Sequence, residues 1–175
     1  MIYFIKSKKR HFSYAQWNTY FEQNNAQRLL ISFEDDRLTE KEKALIFPSI
    51  CQFERREYSD GRHLKRVADR FAAETQNKDY MHCIRWFIKE EDAHSNYLKT
   101  YMEHYNVREK KHVILDHIFR QLRKLAGLRC EVIVLVTAEM IALSYYDALQ
   151  HAAGFPALKA ICRQMLHDEI PHISS

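Results

Sequence analysis

Apolar residues recur along this chain at intervals of three and four, the spacing that gathers side chains on one face of an α-helix. The pattern predicts a short helix over residues 13–30, with Trp17, Tyr20 and Phe21 on one face, followed by the polar break Glu34-Asp35-Asp36. A stronger pattern opens at Thr39, where Thr39 and Glu42 form a capping-box pair, and runs to about Ala73 with Pro48 as a place to kink. Further helices are expected from about Tyr80 to Tyr105, from about Leu128 to Ala153 between Gly127 and Gly154, and from Phe155-Pro156 towards the chain end. The first and last links between these four helices are only a few residues long, which forces antiparallel neighbours. The middle link, 106–127, repeats Ile114, Ile118, Leu122 and Leu125 at helical spacing, so it predicts a crossover with a helix of its own that sets helices 2 and 3 parallel. The expectation is an all-α fold: a four-helix bundle over residues 39–175 with a long crossover between helices 2 and 3, and an additional N-terminal helical extension over 1–38.

Composition narrows this picture without changing it. The chain has 175 residues, with only three glycines and three prolines, which suits one domain of long helices. No run approaches the roughly 18 apolar residues of a membrane span, and the opening Met1-Ile2-Tyr3-Phe4-Ile5 is too short for a signal segment, so a cytoplasmic protein without membrane contact is expected. Cys51, Cys83, Cys130 and Cys162 contain no C-x-x-C pair, which excludes a rubredoxin-type or zinc-ribbon appendage and predicts buried, reduced thiols. The formal charge of +4 includes one basic cluster, Lys6, Lys8, Lys9 and Arg10, with no nucleic-acid motif around it. A solvated tail and no nucleic-acid partner are expected.

The chemistry lies on the apolar stripes themselves. The seams read Ile50, Phe53, Glu57, Asp60, Leu64, Val67, Phe71 on the first bundle helix and Tyr80, Ile84, Phe87, Glu91, His94, Leu98, Tyr101 on the second. They continue as Leu128, Val132, Leu135, Glu139, Ala142, Tyr146, Leu149 on the third and Leu158, Cys162, Met165, Glu169, His172 on the fourth. A single seam glutamate is explained by a salt bridge or a misjudged face. Four at once, with no matching set of Lys or Arg on the stripes, require a cationic centre, because each buried carboxylate costs several kcal/mol if left unneutralised. Two divalent cations would balance Glu57, Glu91, Glu139 and Glu169, with His94 and His172 as neutral ligands. The i, i+3 spacing lets Glu91 converge with His94 and Glu169 with His172, and one Glu from each of two helices plus Glu-x-x-His from the other two is the di-iron bundle pattern.

Over roughly residues 39–172 the sequence resembles the ferritin-like di-iron carboxylate superfamily. Glu90-Glu91-Asp92-Ala93-His94 and Asp168-Glu169-Ile170-Pro171-His172 are similar to the paired E-E-x-x-H and D-E-x-x-H motifs of acyl-carrier-protein desaturases and bacterial multicomponent monooxygenases. The stretches around Phe53 to Gly61 and Thr137 to Tyr146 resemble uncharacterised bacterial ferritin-like proteins. The resemblance implies bridging roles for Glu91 and Glu169, terminal roles for Glu57 and Glu139, and one histidine per iron. It also implies that Asp168 orients His94 and Glu90 orients His172; the alternative for both acids is a solvated surface position. Glu54 competes with Glu57, and Tyr146 is either a redox-active or pocket tyrosine beside the metals or a core residue.

The function expected from these readings is an oxygen-activating di-iron oxidoreductase, oxygenase- or desaturase-like, acting with dioxygen on a small organic substrate and served by an electron-donor protein. Its cofactor would be two iron ions, with manganese or a mixed manganese–iron pair compatible with the same donors. The alternatives are an iron-oxidising storage or detoxification protein and a metal-free structural or partner-binding bundle. Pro171 falls inside the last Glu-x-x-His pair and should bend that helix, and the sequence ends three residues after His172. The expectation is a loosely held His172, with either a longer native chain, a partner subunit in a homodimer, or the Trp17, Tyr20 and Phe21 segment covering that end of the core.

Overall fold

The structure, a computed structural model, describes residues 12–108 and 127–174, with the side chains of residues 58–68, 72, 127–132, 134, 135 and 174 outside that description. Among the described residues every regular element is helical: α1 (Tyr14–Ala26), α2 (Glu40–Thr75), α3 (Lys78–His104), α4 (Gly127–Ala152) and α5 (Pro156–Ser174). None is long and apolar enough to cross a membrane. The crossover expected over 106–127 lies almost wholly outside the described residues, as do His63, His112 and His117 as side chains.

Local chemistry accounts for where the helices begin. Ser13 caps α1 and Gln16 returns the bond to the Ser13 backbone, a complete capping box. At α2 the Thr39 amide and hydroxyl both donate to Glu42 Oε2, at 2.8 and 2.6 Å, while the Glu42 amide donates back to the Thr39 hydroxyl at 3.3 Å. Asn77 caps α3 through the Tyr80 amide. α2 runs unbroken through Pro48, and α5 runs through Pro171 to Ser174.

The first helix is shorter than the pattern predicts. It stops at Ala26 rather than near residue 30, because Leu29, Ile31 and Phe33 alternate inward against the core while Leu30 is 92% exposed. That is the period of an extended strand, not of a helix. The Leu29 amide donates to the Tyr97 hydroxyl at 3.0 Å, which fixes this strap to α3.

Gln76 and Asn77 return α3 along α2, and residues 153–155 return α5 along α4. The two hairpins meet through α3 with α5 and α2 with α4, and α1 lies along α3. The shared core takes Ile50 from α2, Leu98, Tyr101 and Met102 from α3, Ala142 and Tyr146 from α4, and Leu158, Ile161 and Met165 from α5, all almost fully buried. A second cluster, Phe21 with Cys83 and Phe87, seats α1 on α3, with Trp17 and Tyr20 packed against it. Cys51, Cys83 and Cys162 are buried and in no disulfide among the described residues, as expected; the Cys130 side chain lies outside the described residues.

One buried acid ties the strap to the bundle. Pro156 opens α5 without an amide proton, and Phe155 before it has no capping oxygen. The cap comes instead from Asp36, whose Oδ1 accepts from the Ala157 amide at 2.8 Å while Oδ2 accepts from the Tyr105 hydroxyl at 2.7 Å. Asp36→Ala removes both acceptors and should cost about 2–3 kcal/mol, whereas Asp36→Asn keeps one acceptor oxygen and should cost about half of that. Urea unfolding of the two variants measures it, and a loss below about 0.5 kcal/mol for the alanine variant would contradict this role.

Candidate metal centre

Four helices deliver carboxylates or imidazoles to one buried region. α2 supplies Glu57, α3 supplies Glu91 and His94, α4 supplies Glu139, and α5 supplies Glu169 and His172. Glu57, Glu91, His94 and Glu169 are fully buried, Glu139 is 3% exposed and the His172 side chain 7% exposed. Ligand atoms of Glu57, Glu91, His94 and Glu169 all lie within 4.8 Å of one another, a spacing that could hold a metal ion. Glu169 joins this group to His172: its Oε1 lies 3.1 Å from His94 Nδ1 and its Oε2 is hydrogen-bonded to His172 Nδ1 at 3.0 Å.

Both imidazoles sit in the same frame. Each presents Nδ1 to Glu169 and Nε2 to a second acid: His94 Nε2 is hydrogen-bonded to Asp168 Oδ2 at 3.0 Å, and His172 Nε2 lies 3.0 Å from Glu90 Oε1. Glu90 and Asp168 are 1% and 0% exposed, so the structure places them behind the histidines and not at the surface. His172, expected to be loosely held, packs against the rings of Trp17, Phe21 and Phe87, at centroid distances of 5.8, 5.7 and 5.0 Å. The amino-terminal helix is what covers that end.

Two nearby side chains bear on points that spacing left open. Glu54 is buried but accepts from the Ser95 hydroxyl at 3.0 Å, whereas Glu57 belongs to the carboxylate group. Tyr146 is fully buried and donates to Glu57 Oε1 at 2.9 Å.

Sequence reasoning missed Arg56 and Asn24. Arg56 approaches Glu139 Oε1 at 3.4 Å, so one cation reaches the acidic centre from beside the α2 seam, short of a set that would match four carboxylates. Asn24, 7% exposed, donates from its one Nδ2 to Glu90 Oε2 and, at 2.8 Å, to Asp168 Oδ1. The signal was present: Asn24 continues the stripe of Trp17, Tyr20 and Phe21 by one turn, a polar residue on an apolar face.

The remaining electrostatics are strained. With every carboxyl ionised, both oxygens of Glu91 and of Glu139, with Glu57 Oε2, are buried without a hydrogen-bond donor among the described residues; a proton on Glu91 and on Glu139 lets them bond Glu57 and Glu169. Burial, and then the neighbouring Glu169, hold the Glu91 and Glu139 carboxyls well above the ordinary 4.5; Arg56 partly offsets this at Glu139. Burial works against protonation of His94 and His172, but the acids around them outweigh it: His94 is raised well above 6.5 and His172 to about 9. Burial opposes ionisation of Glu169 and Asp168 as well. Hydrogen bonds from His172 and His94 nonetheless lower Glu169, and those from His94, Asn24 and His167 lower Asp168 to about 2.

No protein-family model matches the chain, and neither the curated proteins nor the solved structures contain a match. The site therefore has to be judged by its own chemistry. The group Glu57, Glu91, His94 and Glu169 could hold a divalent cation: it offers hard carboxylate oxygens and an imidazole fixed by an acid behind it, all buried.

The pKa directions give a prediction for the metal-free chain. Glu91, Glu139, His94 and His172 hold protons in the folded state that the unfolded chain releases at lower pH, so the stability they confer is present below about pH 4.5 for the acids and 6.5 for the histidines and is lost as pH rises through their raised folded-state values, about 9 for His172. Asp168 and Glu169 act oppositely, but their contribution is lost only as pH falls below about 4. The melting temperature of chelator-treated protein should therefore fall steadily from pH 5.5 to 8.5, whereas stabilisation by added divalent metal should grow over the same range, since the metal displaces those protons. Parallel melting curves with and without metal at each pH check both slopes.

Proposed function

We propose that this chain is an oxygen-activating di-iron oxidoreductase built on a ferritin-like four-helix bundle, with Glu57, Glu91, Glu139, Glu169, His94 and His172 as the metal ligands. The observation that carries the reading is the gathering of Glu57, Glu91, His94 and Glu169, all fully buried and with ligand atoms within 4.8 Å of one another, and with the buried Glu139 beside Glu169. Carboxylates so placed cost several kcal/mol each in a protein interior unless neutralised, and one arginine and two histidines do not balance four of them. A metal-free structural bundle gives no reason to keep them. The donor pattern, one Glu from each of two helices and Glu-x-x-His from each of two others, is that of di-iron carboxylate bundles. Similar separations between Glu57 and Glu91 and between Glu139 and Glu169 support the same topology as two repeated hairpins.

Iron bound at this site would supply reversible one-electron chemistry and a site for dioxygen, which no side chain provides. The protein's part is to hold and to exclude. The glutamates would neutralise the ions, and His94 and His172 would offer their Nδ1 atoms as ligands. Asp168 and Glu90 hold the Nε2 protons, which keeps the Nδ1 lone pairs free for metal and raises their basicity. Tyr146 fixes Glu57 by its hydroxyl bond, and burial on all sides keeps bulk water from competing. The oxidisable partner is a small organic molecule; manganese would satisfy the same donors.

Anaerobic titration with Fe(II) should load about two ions per chain, and admission of air should then consume oxygen with new optical bands. Glu91→Leu should stabilise the metal-free chain by about 1–3 kcal/mol, by removing an unsatisfied buried acid, and should abolish stabilisation by metal. Absence of Fe(II) binding, together with a destabilised metal-free Glu91→Leu variant, would sink the reading. Oxygen consumption that continues only while Fe(II) is supplied, and leaves ferric mineral, would move the protein to the iron-storage class.

A further inference from the structure

Asn24 connects what the ligand set divides. From His94 the contacts run Nε2 to Asp168 Oδ2 at 3.0 Å, Asp168 Oδ1 to Asn24 Nδ2 at 2.8 Å, Asn24 Nδ2 to Glu90 Oε2, and Glu90 Oε1 to His172 Nε2 at 3.0 Å. The two histidines come from different helix hairpins, and Asn24 from neither. Because both of its partners are carboxylates, the nitrogen and not the oxygen of the amide must face them, and its two protons are then fully used.

We propose that Asn24 is a positioning residue that sets both histidines at once, so that loss of its one amide weakens both divalent-cation positions together. The inference rests on the dinuclear reading. Without the amide, two buried carboxylates lie close to each other with no donor shared between them, and each is free to turn away from the imidazole it holds. The two acids are not equally supported otherwise. Asp168 also accepts from Gln164 at 2.9 Å and from His167 at 3.1 Å, whereas Glu90 Oε1 meets only His172 Nε2, at 3.0 Å. Asn24 is thus the donor that anchors the other oxygen of Glu90 among the described residues.

This link differs from ordinary packing of α1. The rings of Trp17 and Phe21 pack on His172, on one side of the site, so loosening α1 by itself should disturb that half. The amide reaches both halves.

Titration of the full chain with Co(II) alone, followed by its visible bands, tests the proposal. Asn24→Leu should weaken both Co(II) positions by about 10-fold or more. Glu90→Gln and Trp17→Leu should weaken one position, and Asp168→Asn the other. Should Asn24→Leu fail to fold, the isosteric Asn24→Asp carries the same expectation, since it replaces the donor by a third acid. A second arm needs no metal: nitrogen NMR of labelled histidines in the chelator-treated protein should show the His94 and His172 ring resonances both shifted in the Asn24 variant, with Glu90→Gln shifting those of His172 alone. Wild-type protein that binds fewer than two Co(II) ions overturns the dinuclear reading and leaves the NMR arm to decide the Asn24 link. An Asn24 variant that alters only one position, one ring, or neither overturns the proposal.

Discussion

The structure depends on a concentration of negative charge where a helical protein ordinarily keeps none. Glu57, Glu91, Glu139 and Glu169 gather in one buried region, with Glu90 and Asp168 buried directly behind. Apolar packing of Ile50, Leu98, Leu158 and Ile161 on one side of it, and of Phe21 and Phe87 on the other, must hold the helices together against that repulsion. Two clusters flank the acids because the acids interrupt the core. Hydrophobic burial stabilises the protein on either side of the site and not through it.

What relieves the charge is distributed unevenly. His94 and His172 bridge Glu169 to the acids behind it, which explains why Glu169 and Asp168 favour ionisation while Glu91 and Glu139 favour their protons. Arg56 assists at Glu139, from 3.4 Å. The metal-free protein is therefore a compromise in which some carboxyls keep protons so that others need not. Divalent cations bound at the proposed site would exchange those protons for a charge that serves all four glutamates, which would tie metal affinity to pH and to folding.

Much of this was legible in the spacing of residues. The seam periodicity located Glu57, Glu91, His94, Glu139, Glu169 and His172, because a helix converts intervals of three, four and seven into one face. Helix starts were legible where a side chain caps its own helix, as Thr39 and Glu42 do. The cap of α5 was not, since Asp36 reaches the Ala157 amide from a distant strap and no local pattern records that. Asn24 and Arg56 escaped for the same reason: each acts across helices, and its partners become neighbours only after the bundle has assembled. The end of α1 was misjudged because Leu29 and Leu30 suit a helix face equally well; what decides is the inward alternation of Leu29, Ile31 and Phe33.

Pro171 shows how the fold tolerates a local fault beside its chemistry. Proline at that position removes the amide that would bond the His167 carbonyl, so α5 is weakened one residue before a histidine that must be held in place. The helix nonetheless continues to Ser174, and the His172 side chain remains 7% exposed. Much of its order comes from outside α5: Glu169 of the same helix meets Nδ1, but Glu90 of α3 faces Nε2, and three aromatic rings from α1 and α3 close over the imidazole. His94 needs no such cover, because it lies in the middle of an uninterrupted α3. The two halves of the site thus reach the same imidazole geometry by different means: one by helical regularity, the other by the docking of α1. The amino-terminal helix is, in this respect, as much a part of the site as the four helices that carry the ligands.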